Sequence, residues 1–116
     1  MSNLEDGFEV VRAVWQRAKW PGVEEGLSWG TVALKVRGKM LIRLKEPDVA
    51  VLLCDSDEKA FLMQTAPDVY FQTDHYSGYP AVLARLSNVD PDELSRLIEK
   101  AWKEKASKKM LEDFRR

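Results

Sequence analysis

The chain's one histidine lies in Thr73-Asp74-His75-Tyr76-Ser77-Gly78-Tyr79-Pro80, between a carboxylate and two tyrosines. A carboxylate beside an imidazole can orient the ring and raise its pKa, as general acid–base catalysis requires. Catalytic constellations need further matched groups, and no serine or cysteine stands in a recognisable nucleophile setting. The preferred reading is therefore a shaped turn: His75 bonds the backbone, Gly78 supplies an unusual dihedral, and Pro80 opens an edge strand. Asp55-Ser56-Asp57-Glu58 lacks the glycine and the distant bidentate glutamate of a calcium loop, so it reads as a helix cap. With one histidine and one cysteine in the chain, zinc is a poorer candidate still, and Trp29-Gly30 and Arg37-Gly38-Lys39 carry no phosphate-loop pattern. No metal, cofactor or catalytic residue is expected, and the chain is read as a non-enzyme.

Binding is better signalled. All the charged residues between positions 31 and 45 are basic: Lys35, Arg37, Lys39, Arg43 and Lys45. A ribbon carrying them on one face could meet phosphates, although a solvated face with edge lysines explains the same pattern. Trp15, Trp20, Trp29 and Trp102 read mainly as core and rim packing. Trp29, beside Gly30 and just before the basic run, is the tryptophan least readily assigned to the core. Lysines after residue 102 are accounted for by the dipole of a helix end.

The elements that position these residues follow from periodicity. Leu4, Phe8, Val11, Trp15 and Ala18 recur at helical spacing after a possible capping box of Ser2 and Glu5, and Trp20-Pro21-Gly22 stops them. In Thr31–Lys45 the period changes to two. Val32, Leu34 and Val36 point one way and Lys35 and Arg37 the other. After a Gly38-Lys39 turn of type II′, Met40, Ile42 and Leu44 oppose Leu41, Arg43 and Lys45. The apolar run ending in Cys54 reads as a strand buried on both faces. Asp55 and Glu58 open a second helix that Ala66-Pro67 ends. Asp68–Thr73 and Pro80–Ser87 pair as strands around the histidine turn. Asp90-Pro91-Asp92-Glu93 is the clearest helix start, with a capping aspartate and a first-turn proline ahead of Leu94, Leu97, Ile98, Ala101 and Trp102. Met110, Leu111 and Phe114 belong to a helical extension, residues 105–116, whose apolar face turns elsewhere. The order α-β-β-β-α-β-β-α with tight turns predicts a single α+β domain over residues 1–116. Its two layers are an antiparallel sheet and helices packed mainly on one face.

At 116 residues, one domain can bury a core without disulfides, and the lone cysteine suits a reducing compartment. No signal peptide or spanning segment is present, so a cytoplasmic protein, with no membrane partner, is expected. A net charge of −1 and a pI near 5.9 disfavour strong sequence-independent nucleic-acid binding and place weight on the local basic island.

An ordered set of short motifs carries a resemblance. Pro21-Gly22-Val23-Glu24-Glu25-Gly26, Ser28-Trp29-Gly30, Leu34–Met40, His75-Tyr76 with Gly78–Leu83, and Val89–Leu94 together resemble the MmcQ/YjbR family of small bacterial proteins over about residues 8–104. The resemblance implies a compact fold similar to that of secretion chaperones and a DNA-binding role, and it carries no catalytic residues. Candidate contacts are Lys35, Arg37, Lys39, Arg43 and Lys45 for phosphate, with Trp29, His75, Tyr76 and Tyr79 for stacking or hydrogen bonds. The alternative is a protein-interaction or chaperone-like domain. A monomer or weak homodimer is expected.

Overall fold

A computed structural model describes residues 7–115; the Ser2–Glu5 capping box lies outside them. The described chain runs α1 (Glu9–Ala18), β1 (Val23–Ser28), β2 (Thr31–Val36), β3 (Lys39–Glu46), β4 (Val49–Leu53), α2 (Ser56–Thr65), β5 (Tyr70–Phe71), β6 (Ala81–Arg85), α3 (Pro91–Lys105) and α4 (Lys108–Phe114). The sheet has six strands in the order β1-β2-β3-β4-β6-β5, each pair antiparallel. Helices pack mainly on one face, giving the expected α+β sandwich.

One strand exceeds the expected count. β1 escapes a periodicity reading because it is an edge: Glu24 and Glu25 are exposed, Leu27 is 66% exposed, and only Val23 enters the core. Edge strands are protected by such charges. Arg12 of α1 binds both carboxylate oxygens of Glu25, at 2.9 and 3.0 Å, and so ties the first helix to this edge.

The hairpin turn also differs. Val36 faces Lys39, so Arg37 (φ 54°) and Gly38 (φ 78°) are the central pair, the all-positive geometry of a type I′ turn rather than II′. Between β1 and β2 the same device recurs with Trp29 (φ 54°) and Gly30 (φ 80°). Farther along, the β2–β3 register slips: Leu34 faces Ile42 while Lys35 faces Met40, leaving Leu41 as a bulge. A bulge lets consecutive side chains share a face. Leu41 and Ile42 therefore both enter the helix-side core, fully buried, and Met40 joins the opposite face, contrary to strict alternation. β6 is likewise interior, not an edge; Pro80 stands just outside its ladder, where a missing N–H is no loss.

The caps fall where the sequence puts them. Asp55 accepts from the Glu58 N–H at 2.7 Å and Asp90 from the Asp92 N–H at 3.1 Å. Leu94, Leu97, Ile98, Ala101 and Trp102 are all buried. Trp102 donates to the Pro21 carbonyl and Trp20 to Glu99, which locks the Trp-Pro-Gly corner onto α3. Lys100 of α3 reaches Glu58 at 3.1 Å and Asp55 at 3.4 Å. Burial pushes the Glu58 carboxyl up, but hydrogen bonds from Lys100 and Arg96 outweigh it and hold it below its usual range.

The C-terminal extension does not turn away. Ala106 is extended, Ser107 caps α4 by accepting from the Met110 N–H, and the short helix folds back so that Met110, Leu111 and Phe114 cover the core. Phe114 meets Trp102 edge-on, with centroids 4.9 Å apart.

The turn around the histidine is a single 3-10 turn, Asp74–Tyr76, with Gly78 at φ 83°. Buried Lys59 of α2 staples it, donating to the carbonyls of Tyr76 (2.7 Å) and Tyr79 (3.0 Å).

Three outcomes follow from this packing. Phe114→Ala should lower stability by about 2 kcal/mol in urea titration, since it opens the lid over Trp102; an unchanged midpoint would mean that α4 does not dock. Lys59→Met should cost about 2 kcal/mol by stranding two carbonyls, and should speed amide exchange at Ser77 and Tyr79. Burial pushes the Cys54 thiol up to about 11 from an ordinary 9.0, so near neutral pH it holds a roughly hundredfold smaller thiolate fraction. A disulfide reagent should label it slowly in the native protein and at the normal thiol rate in urea.

Candidate functional site

Strand pairing defines the helix-free face residue by residue. One row across it runs Glu24, Lys35, Met40; Leu53 and Ala81, paired with each other, extend it on the far side. The next runs Gly26, Ala33, Arg43, Val51, Leu83 and Phe71. On the β4-β6-β5 half these residues are apolar and form a second small core, in which Tyr76 lies down on Val51, Ala81 and Leu83. The β1-β2-β3 half is open and polar, so the sheet's second face is half core and half surface.

Arg43 marks the seam. Its guanidinium donates to the Tyr76 hydroxyl at 3.0 Å and to Thr31 Oγ1 at 3.3 Å. Lys35 lies across Gly26 and donates to the Leu27 carbonyl at 3.1 Å. All these acceptors are neutral. Glu24 stands opposite Lys35 in the ladder, yet no ion pair joins them, and among the described residues neither Lys35 nor Arg43 has a carboxylate partner. The result is two cations on one face that are held by neutral oxygens, with Glu24 beside Lys35 in the same row.

The other basic residues scatter. Arg37, held at positive φ on the hairpin tip, turns to the α3 end and donates to the Lys105 carbonyl at 3.3 Å, where a cation offsets the helix dipole. Lys39 is exposed beside it. Lys45, at the other end of β3, pairs with Glu46 at 3.4 Å. The island that is contiguous in sequence is thus divided among the two ends and the middle of the hairpin.

Among the aromatic candidates, Tyr76 is buried and serves as the anchor of Arg43. His75 is exposed, its ring edge-on to Tyr76 at 4.9 Å and tilted against Tyr79 at 5.6 Å, and among the described residues no hydrogen bond links it to Asp74. Tyr79 is half exposed. Trp29 stands 87% exposed at the β1–β2 tip, in a backbone conformation that bulky residues seldom adopt. The structure therefore joins Arg43 to Tyr76 and packs His75 and Tyr79 against Tyr76, places Lys35 on the same sheet face, and leaves Arg37, Lys39, Lys45 and Trp29 at its margins. Thr31 and Lys59 were not expected from the sequence. Thr31 had a faint signal, sitting beside Trp29-Gly30; Lys59 had none, because a lone lysine inside a helix looks solvated.

Among the described residues no three His, Cys, Asp or Glu side chains group as metal ligands would, and no helix is long and apolar enough to cross a membrane.

The motifs of this face lie within a region shared with other proteins. Uncharacterized proteins of Mycobacterium bovis and Mycobacterium tuberculosis are each 41% identical over 66 residues, 57% of this chain and 51% of theirs. The match thus spans about half the length of those curated relatives. No solved structure matches. The family model described as YjbR matches residues 18–104, from the end of α1 almost to the end of α3, which covers the whole sheet and the histidine turn. The chain belongs to the YjbR family.

Proposed function

We propose that this YjbR-family chain is a non-enzymatic module that binds nucleic-acid phosphates on the open half of its helix-free sheet face. The observation that carries the reading is the pair Lys35 and Arg43, held on neighbouring strands by hydrogen bonds to neutral oxygens, with no ion pair to either among the described residues. Phosphate contacts from such groups supply affinity without reading sequence. Tyr76 pre-orders Arg43, so less side-chain entropy is lost on binding. His75 and Tyr79 pack against the ring of Tyr76, the residue that holds Arg43, and offer ring faces for an unpaired base. An exposed histidine without an orienting carboxylate supports binding over acid–base chemistry. Arg37 is left out of the contact set because it stands on the hairpin tip and turns toward the end of α3, away from Arg43 and Tyr76.

A second reading, a protein-interaction domain, is favoured by the β1–β2 tip, where exposed Trp29 and Leu27 adjoin.

Fluorescence anisotropy of labelled duplex and single-stranded DNA, from low to physiological salt, tests the first reading. Two phosphate contacts predict a log–log salt slope of about 2 on duplex, and Lys35→Gln with Arg43→Gln should abolish most of it. Arg37→Gln should leave the affinity unchanged. Tyr76→Phe should cost about 1 kcal/mol of stability and weaken binding less than Arg43→Gln. A wild-type protein inert toward both DNAs at low salt would overturn the proposal. Trp29→Ala distinguishes the second reading: it should leave DNA affinity intact and remove a nuclease-resistant protein contact.

A further inference from the structure

Lys59 staples the histidine turn, but its chemistry is not exhausted by that role. The side chain is 6% exposed, and its Nζ donates to two backbone carbonyls, those of Tyr76 and Tyr79. Those bonds occupy two of the three ammonium protons and neutralise none of the charge. Among the described residues Lys59 has no carboxylate partner, whereas buried ammonium groups are ordinarily paired because desolvation costs several kcal/mol. Lys59 also lines an open surface cleft of about 410 Å3 between α2 and the turn. Ser56 and Gln72 face the same space and can donate hydrogen bonds, while Met63, Tyr79 and Pro80 supply apolar wall. Polar groups beside an apolar wall in a concave surface of this size are features that a small ligand can use.

We propose that this cleft binds a small organic carboxylate, whose charge pairs with Lys59 Nζ and whose apolar body lies against Tyr79, Met63 and Pro80. One ammonium matches one negative charge. Asp55, at the rim, is engaged by Lys100 and the Glu58 N–H, and it would repel a second negative charge, so a monoanion fits better than a phosphate dianion. The site shares Tyr79 with the surroundings of the Lys35–Arg43 face, but its anchor, Lys59, lies outside that face and the proposal does not depend on that reading.

Benzoate, with benzyl alcohol as its uncharged counterpart and inorganic phosphate as a dianion, tests the site by amide NMR titration of the full chain. Benzoate should shift residues 56–60 and 72–80 saturably, with a Kd at least tenfold below that of benzyl alcohol, and phosphate should bind more weakly than benzoate. Lys59→Met should remove the preference for the carboxylate. Because that variant also loosens the turn, Gln72→Leu and Tyr79→Ala, which leave the Lys59 hydrogen bonds in place, should each weaken benzoate at least threefold with the spectrum outside residues 72–80 unchanged. Equal response to benzoate and benzyl alcohol, tighter binding of phosphate, shifts confined to the Lys35–Arg43 face, or unchanged affinity in the Gln72 and Tyr79 variants would each overturn the proposal.

Discussion

An antiparallel sheet with helices on one side must do something with its other side, and in this protein that constraint organises everything else. A fully polar second face would be soluble but could not bury the continuous apolar run of β4; a fully apolar one would aggregate. The chain divides the face. The segment between β5 and β6 folds over half of it and carries Tyr76 as a plug above Val51, Ala81 and Leu83. Because that plug ends in a hydroxyl, the boundary of the small core can be finished by a cation, Arg43, at hydrogen-bond distance.

The plug in turn depends on a second cation behind it. Lys59 reaches from α2 to the carbonyls on either side of Gly78, where the left-handed backbone points two acceptors at one donor. The turn is thus gripped from both sides: Arg43 holds the side chain of Tyr76 and Lys59 holds its carbonyl. Neither grip uses a carboxylate. Placing cations against neutral oxygens fixes geometry while leaving charge available, and this is the physical basis for both binding surfaces proposed above.

Elsewhere the same residue types are spent on structure. Arg12 closes a paired contact with Glu25 that attaches α1 to the sheet edge, and Glu58, Asp55 and Lys100 clasp α2 to α3. Arg37 completes the end of α3. A basic island read along the chain therefore overstates the basic surface in space, since the hairpin sends its members to three places. The exposed Trp29, held at positive φ, is the converse case, a residue that ordinary packing does not explain.

What the sequence by itself determined is what depends on neighbours a few residues away. Asp55 and Asp90-Pro91 set helix starts because capping acts within one turn; the alternation of Val32, Leu34 and Val36 set a strand because the side-chain period of a strand is two; and the ordered motifs identified the family. Tertiary structure alone decided the rest. β1 is a strand only because β2 offers it a ladder, and Leu41 became a bulge, reversing Met40, because two adjacent apolar residues both had a core to enter. The partners of Arg43 and Arg37 lie 33 and 68 positions away, and that of Lys59 lies 17 away, across a turn. A cation's role is set by which oxygens surround it in space, and no local period records that.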